Sequence, residues 1–231
     1  MKYNEIIKEL KRHSNPRNVE GMARFGINPK KTLGVPIPVL RKMAKKIGQD
    51  HSLAKQLWGS EIHEARILAG MIDDPSQVTE KQMWKWAGDF DSWDVCDQVC
   101  MNLFEKLPFA YESVAGLARD EREFVRRTGF SLMACLSWHD KDSPDSKFTR
   151  FFPIIRKHST DERNFVKKAV NWALRNIGKK NQSLNKKAIK VAEEILKMDS
   201  KSARWIAADA LRELKDAAVQ KRLRKSRWGS K

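Results

Sequence analysis

The eight-residue phrase DEREFVRR, Asp120 to Arg127, returns as DERNFVKK, Asp161 to Lys168. The offset is 161 − 120 = 41 residues, a period of stacked helical pairs in which each unit buries its apolar face only against its neighbours. The finer pattern agrees. From Tyr3 to about Leu223 apolar residues recur at three- and four-residue spacing, strand signals are almost absent, and Pro, Gly, Asn and Asp fall at helix ends. Pro36 and Pro38 open a helix reading VLRKMAKKIG, and Asp73 to Ser76 close another. We therefore expect an all-α chain built as a helical-repeat solenoid, a single repeat domain over residues 1–220 followed by a basic tail over 221–231.

Charge narrows the partner. Lys and Arg number 46 against 29 Asp and Glu, a net charge of +17, which is the electrostatic footprint of a polyanion binder. Nucleic acid is the first expectation, with a merely solubilising surface as the plainer one. A membrane is the weakest, since no long apolar run and no strongly amphipathic basic terminal helix occurs. Cys96, Cys100 and Cys135 form neither an even framework nor a pair spaced by two, and the five histidines show no His-x-x-x-His arrangement; we expect neither disulfide nor metal, and buried, core-filling cysteines. The amino terminus, MKYNEIIKELKRH, is charged and helical rather than signal-like, so a cytoplasmic protein is expected.

Helical stepping assigns faces. In the second copy Val166, Ala169, Val170, Ala173 and Ile177 follow the i, i+3, i+4, i+7 rule and form the expected buried stripe, leaving Phe165, Lys168, Trp172 and Arg175 on the opposite side. In the first copy the stripe is Val125, Gly129, Leu132 and Leu136. That places Arg127 opposite the core, where the 41-residue offset pairs it with Lys168. A looser third copy is SARWIAADALREL, Ser202 to Leu214. The run from Lys221 to Lys231 is expected to fray, either as a solvated end or as an arm on phosphate.

A further helix is expected from WDVCD, with Ser92 or Asp91 as its N-cap. Val95, Cys96, Val99 and Leu103 make its buried stripe. Trp93 and Asp97, four apart, share a flank that need not be core. Asp94 complements the positive helix start. The plainer readings are packing for the tryptophans, an ordinary ion pair for Asp97, and for Arg127 an inter-repeat salt bridge to Asp120, Glu121 or Asp161, with Arg126 pointing elsewhere.

Taken in order, GMARFGI, LGVPIPVLRKMAKKIG, SWDVCD, EFVRRTGF and FVKKAVNWALR resemble the AlkD-like family of DNA alkylation-repair glycosylases over most of the chain. The resemblance implies HEAT-like repeats with a concave basic face that cradles duplex DNA. It implies that Asp97 takes the place of the catalytic aspartate, Trp93 and Trp172 those of the aromatics near the lesion, and Arg127 that of an arginine on a nearby phosphate. Lys168, Arg175 and Arg41 are further candidate backbone contacts. The implied reaction is hydrolysis of the N-glycosidic bond of N3- or N7-alkylated purines, without cofactor and without strand cleavage, by a protein acting as a monomer. Two positions depart from relatives: Pro36 and Ile37 stand where polar residues can occur, and Phe124 where a tryptophan can.

The chemistry suits those residue types. A cationic base leaves readily, so the protein must chiefly stabilise an oxocarbenium-like sugar and position water. A carboxylate about 4 Å from that charge contributes roughly 4 kcal/mol at an effective dielectric of 20, or about a thousandfold in rate. Tryptophan faces add about 1 to 2 kcal/mol of cation–π attraction. The rival expectation is a noncatalytic solenoid whose basic face binds DNA, structured RNA or an acidic protein.

Overall fold

A computed structural model of the protein describes residues 1–225, and all regular structure among them is helical. Fifteen α-helices follow in chain order: α1 Tyr3–Arg12, α2 Pro16–Arg24, α3 Ile37–Ile47, α4 His51–Gly59, α5 His63–Ile72, α6 Glu80–Gly88, α7 Trp93–Asn102, α8 Ala110–Arg119, α9 Glu123–His139, α10 Asp145–Thr149, α11 Phe152–His158, α12 Asn164–Gly178, α13 Gln182–Leu196, α14 Lys201–Leu214 and α15 Ala217–Lys225. They form two compact units, Met1–Ala110 and Tyr111 onward.

In the first unit α5 is the central element, packing against α3, α4 and α7. Its sequence, HEARILAGMI, is buried along most of its length. The glycine at position 70 matters here, because a Cβ would stand 3.0 Å from Val99 Cγ2; its absence lets α7 lie close against α5. Trp58 on α4 stacks on Trp86 on α6 at 3.9 Å between ring centroids, and its indole N–H donates to Asp89 at 2.9 Å.

The first turn of α5 also organises two loops. Glu64, 1% exposed, accepts backbone N–H bonds from Leu33 (2.9 Å), Gly34 (2.6 Å) and Val35 (3.2 Å). Those bonds fold the LGVPIP segment into a tight loop with Gly34 at φ 77°, and any side chain there would meet the Asn15 carbonyl. Pro36 then takes the N-cap position of α3, as expected for a helix opened by prolines. Beside Glu64, the buried His63 bonds Asp94 of α7 through Nε2 at 2.9 Å. Asp94 is therefore a partner for His63 as well as an acidic residue at a helix start.

In the second unit the successive second helices of each pair pack in order, α9 on α12 and α12 on α14, with α11 and α13 beside them. The stripes expected in α9 and α12 are buried: Val125, Leu132 and Leu136; Val166, Ala169, Val170, Ala173 and Ile177. In α14 the buried residues include Ala203, Ile206, Ala207, Ala210 and Leu214. The repeated phrase has a structural meaning. Asp120 accepts from the backbone N–H and side chain of Arg122, both at 2.9 Å. Asp161, 41 residues later, receives Arg163 in the same way at 3.1 and 2.9 Å. Each aspartate thus closes the turn before its helix. The copies also touch: Phe124 and Phe165, equivalent in the repeat, stack at 5.5 Å, and Arg126 donates to Asp161 at 2.7 Å and to the Asp120 carbonyl at 2.8 Å.

Two expectations are corrected. Arg126, expected to point elsewhere, reaches back to the acidic turns and bridges Asp161. The basic run does not fray from its start: α15 continues to Lys225, anchored by Leu223 at 2% exposure. Residues 226–231 of the expected tail lie outside the described residues.

These contacts differ in worth. Arg126 and Asp161 are 17% and 7% exposed, whereas Arg122 is 59% exposed. We expect Arg126→Ala to cost about 2 kcal/mol, because it strips a donor from a largely buried carboxylate, and Arg122→Ala to cost at most about 0.5 kcal/mol; paired urea titrations measure both.

His63 generates a pH dependence. Burial disfavours its charged form, but the hydrogen bond and charge of Asp94, with Glu64 and Asp91 beyond, outweigh burial and raise its pKa above 6.5. The folded state then holds the proton more tightly than the unfolded chain. The resulting stability is complete below the unfolded value and lost as pH rises through the higher folded one. The urea midpoint should accordingly fall with rising pH across this window, and the Asp94→Asn variant should show a flatter profile there.

Candidate nucleic-acid site

Trp93 and Asp97 lie one turn apart on α7, both partly exposed, while Val95, Cys96, Val99 and Leu103 are buried as expected. All three cysteines are buried and unbridged. Ser92 occupies the N-cap position but does not cap α7 with its side chain. Its hydroxyl instead accepts from the Asn28 backbone N–H at 3.0 Å. Asp91 accepts from the Asn28 side-chain amide at 2.7 Å, and the Trp93 indole N–H donates to the Phe25 carbonyl at 3.1 Å. Three hydrogen bonds thus fasten the turn after α2 to the first turn of α7. The motifs GMARFGI and SWDVCD, about seventy residues apart in the chain, become one locus.

That fastening presents a residue the sequence pattern did not single out. Phe25 is 74% exposed beside Trp93, and the turn that carries it needs Gly26 at φ 76°. A large apolar side chain just before a turn glycine, off the end of a short polar helix, is the only local signal that would have marked it. An exposed phenylalanine next to a partly exposed tryptophan makes an aromatic surface suited to a base or a cationic sugar. Asp97 lies one turn on from Trp93 on the same flank of α7 and is partly exposed. In the same unit, Arg41 is exposed on α3, two turns from the Glu64-bound loop, where Pro36 and Pro38 are also exposed.

The second unit holds the other candidates. Lys168 is exposed on α12 and Trp172, one turn on, is half-buried; both thus lie outside the buried stripe, as stepping around the helix indicated. Arg127 does not stand on an open face. It is 5% exposed, and its Nη1 donates to the Phe165 carbonyl at 2.6 Å. The reason is that α9 is covered by the neighbouring pair as well as by its own partner helix: Arg127 and every residue from Thr128 to Ser137 is buried. A single apolar stripe therefore underestimates what a helix inside a stack conceals. Arg127 and Lys168, equivalent in sequence, occupy different environments.

Arg175 is committed within the unit, its Nη1 paired with Glu213 of α14, while Lys179 reaches the other carboxylate oxygen at 2.5 Å. Burial pushes the Glu213 carboxyl up, but the hydrogen bonds from Lys179 and Arg175 hold it below the usual range. Neighbouring Asn171 donates to Asp209 at 2.7 Å. These contacts bind α12 to α14 one turn beyond Trp172.

Comparison with solved structures places the fold among HEAT-like repeat proteins. The chain is similar to a structure described as a new family of proteins related to the HEAT-like repeat DNA glycosylases with affinity for branched DNA structures. That likeness has a TM-score of 0.76 at 20% identity and covers 99% of this chain and 97% of that one. Looser similarity extends to an engineered protein (TM-score 0.41, 16% identity, covering 87% of this chain and 99% of that one). It also extends to a designed armadillo repeat protein (TM-score 0.38, 14% identity, covering 82% and 90%). Among curated proteins no match is found. Residues 6–223 match the family described as DNA alkylation repair enzyme, and the chain belongs to that family.

Proposed function

We propose that the protein is a monofunctional DNA glycosylase that hydrolyses the N-glycosidic bond of cationic N3- or N7-alkylated purines in duplex DNA and leaves an abasic site. The observation that carries this reading is the pairing of Asp97 and Trp93 on one partly exposed flank of α7, beside the exposed Phe25. A binder of phosphate alone has no use for a carboxylate there, since it repels the backbone. A developing oxocarbenium ion attracts it. Trp93 and Phe25 give the cationic nucleotide an aromatic surface, and Asp97 stabilises the charge appearing on the sugar and orients water; Trp172, in the second unit, is a further aromatic candidate for contact with DNA. The alkylated base departs neutral, taking the bonding electrons of the glycosidic bond, so no strong general acid is required.

Lys168 and Arg41, both exposed, hold the DNA backbone in this proposal. Arg127 is assigned to a phosphate near the lesion through the small edge it presents, and Arg175 to a backbone contact made in exchange for Glu213. The protein acts as a monomer, without cofactor, in the cytoplasm. No helix of the described residues is long and apolar enough to cross a membrane.

A second reading, a noncatalytic helical-repeat DNA binder, is supported by the affinity for branched DNA ascribed to the related solved protein. Release of free 3-methyladenine and 7-methylguanine from methylated duplex separates the two. The protein should release both, and Asp97→Asn should slow release about a thousandfold with duplex affinity nearly unchanged. Release by Asp97→Asn at the normal rate would refute the catalytic assignment, and binding without release by either protein would favour the second reading.

A further inference from the structure

At the carboxy-terminal ends of α9 and α12, away from the first turns that carry Arg127 and Lys168, the second unit contains an open cavity of about 710 Å3. Trp138, Lys141, Asn176, Lys179, Lys180 and Arg222 line it. Trp138 is 54% exposed, with His139 stacked against its ring at 5.7 Å between centroids. Asn176 is only 7% exposed, and its amide nitrogen is buried without a hydrogen-bond partner. A buried donor left unsatisfied is costly, so its presence at a cavity wall marks a place where an acceptor is missing. Four cations line the cavity against one carboxylate, Asp145, which is itself bonded by Asn181 at 2.7 Å. Lys179 is paired with Glu213, whereas Lys141 and Lys180 donate to the carbonyls of Trp138 and Asp140, and Lys180 also lies over the Phe148 ring at 4.4 Å and within the field of Asp140, Asp142 and Asp145.

We propose that this cavity is a second nucleic-acid site that takes one unpaired nucleotide, with its base stacked on the Trp138 indole and its phosphate held by Lys141, Lys180 and Arg222. Asn176 donates its free amide N–H to an oxygen of that nucleotide. The combination excludes simpler ligands. Inorganic phosphate has no use for the indole, and an apolar ligand is opposed by the cations. A base inside an intact duplex has both faces already stacked, so the nucleotide must come from a single-stranded segment or a strand end, or from the free pool. This site shares no residue with the flank of α7 and does not depend on the glycosylase reading.

Indole fluorescence and anisotropy titrations test it with three probes: an unmethylated duplex bearing a single-stranded thymidine tail, the same duplex blunt-ended, and free thymidine monophosphate. The tailed duplex should bind about tenfold more tightly than the blunt one and quench fluorescence. Trp138→Ala should erase that margin while leaving blunt-duplex affinity and any alkylpurine release intact, and Trp138→Phe should keep most of it. Quenching by the free monophosphate, lost in Trp138→Ala, would assign the cavity to free nucleotides instead, with the same stacking chemistry. If Trp138→Ala binds both the tailed duplex and the monophosphate as the unsubstituted protein does, or if neither probe is favoured over blunt duplex, the proposal is wrong.

Discussion

Glu64 and Asp161 are carboxylates withdrawn from water, and the need to hydrogen-bond them governs the geometry of their respective units. Removing a carboxylate from water costs several kcal/mol unless donors converge on it. Glu64 finds three backbone N–H groups of the Leu33–Val35 loop, so that loop can take only one shape. Asp161 finds Arg163 beside it in sequence and Arg126 from the preceding copy. Although burial pushes its carboxyl up, those guanidinium groups bring it down to about 2. The same contact that closes a turn therefore also ties successive helical pairs together, and the phrase recurs with its Asp-Glu-Arg turn intact.

This arrangement divides the cations of a strongly basic chain into two populations. Arg126, Arg163, Arg175 and Lys179 are paired with internal carboxylates, and those pairs help set the positions of helices. Lys168 and Arg41 stand exposed, where a cation can neutralise a phosphate and release the counterions condensed on nucleic acid. The net charge of +17 already subtracts those paired carboxylates.

Much of the fold is legible in the amino-acid order. The 41-residue repeat and the three- and four-residue spacing specify an all-helical stack, and the stripes in α7, α9 and α12 are the buried ones, since a 3.6-residue period maps directly onto a helix face. The pairing of Trp93 with Asp97 follows from the same arithmetic. What fails is the inference that each helix has a single buried side. Arg127 lies opposite its stripe and is nonetheless concealed, because the neighbouring repeat covers that side as well. Ser92 reads as a side-chain cap, yet its hydroxyl is taken by Asn28, a competitor some sixty residues away that no local rule registers.

The class of fold, the helix faces and the identity of the candidate Trp–Asp pair follow from the amino-acid order alone, because they depend on periodicity and on residues within one or two turns of each other. Packing in three dimensions was needed to set Phe25 beside Trp93, to join Arg126 to Asp161 and Arg127 to the Phe165 carbonyl across the repeats, and to bring Trp138 and Asn176 to one cavity wall. Those outcomes turn on which distant donor reaches a given acceptor first and on how completely adjacent helices exclude water, and both are properties of the packed stack rather than of any one segment.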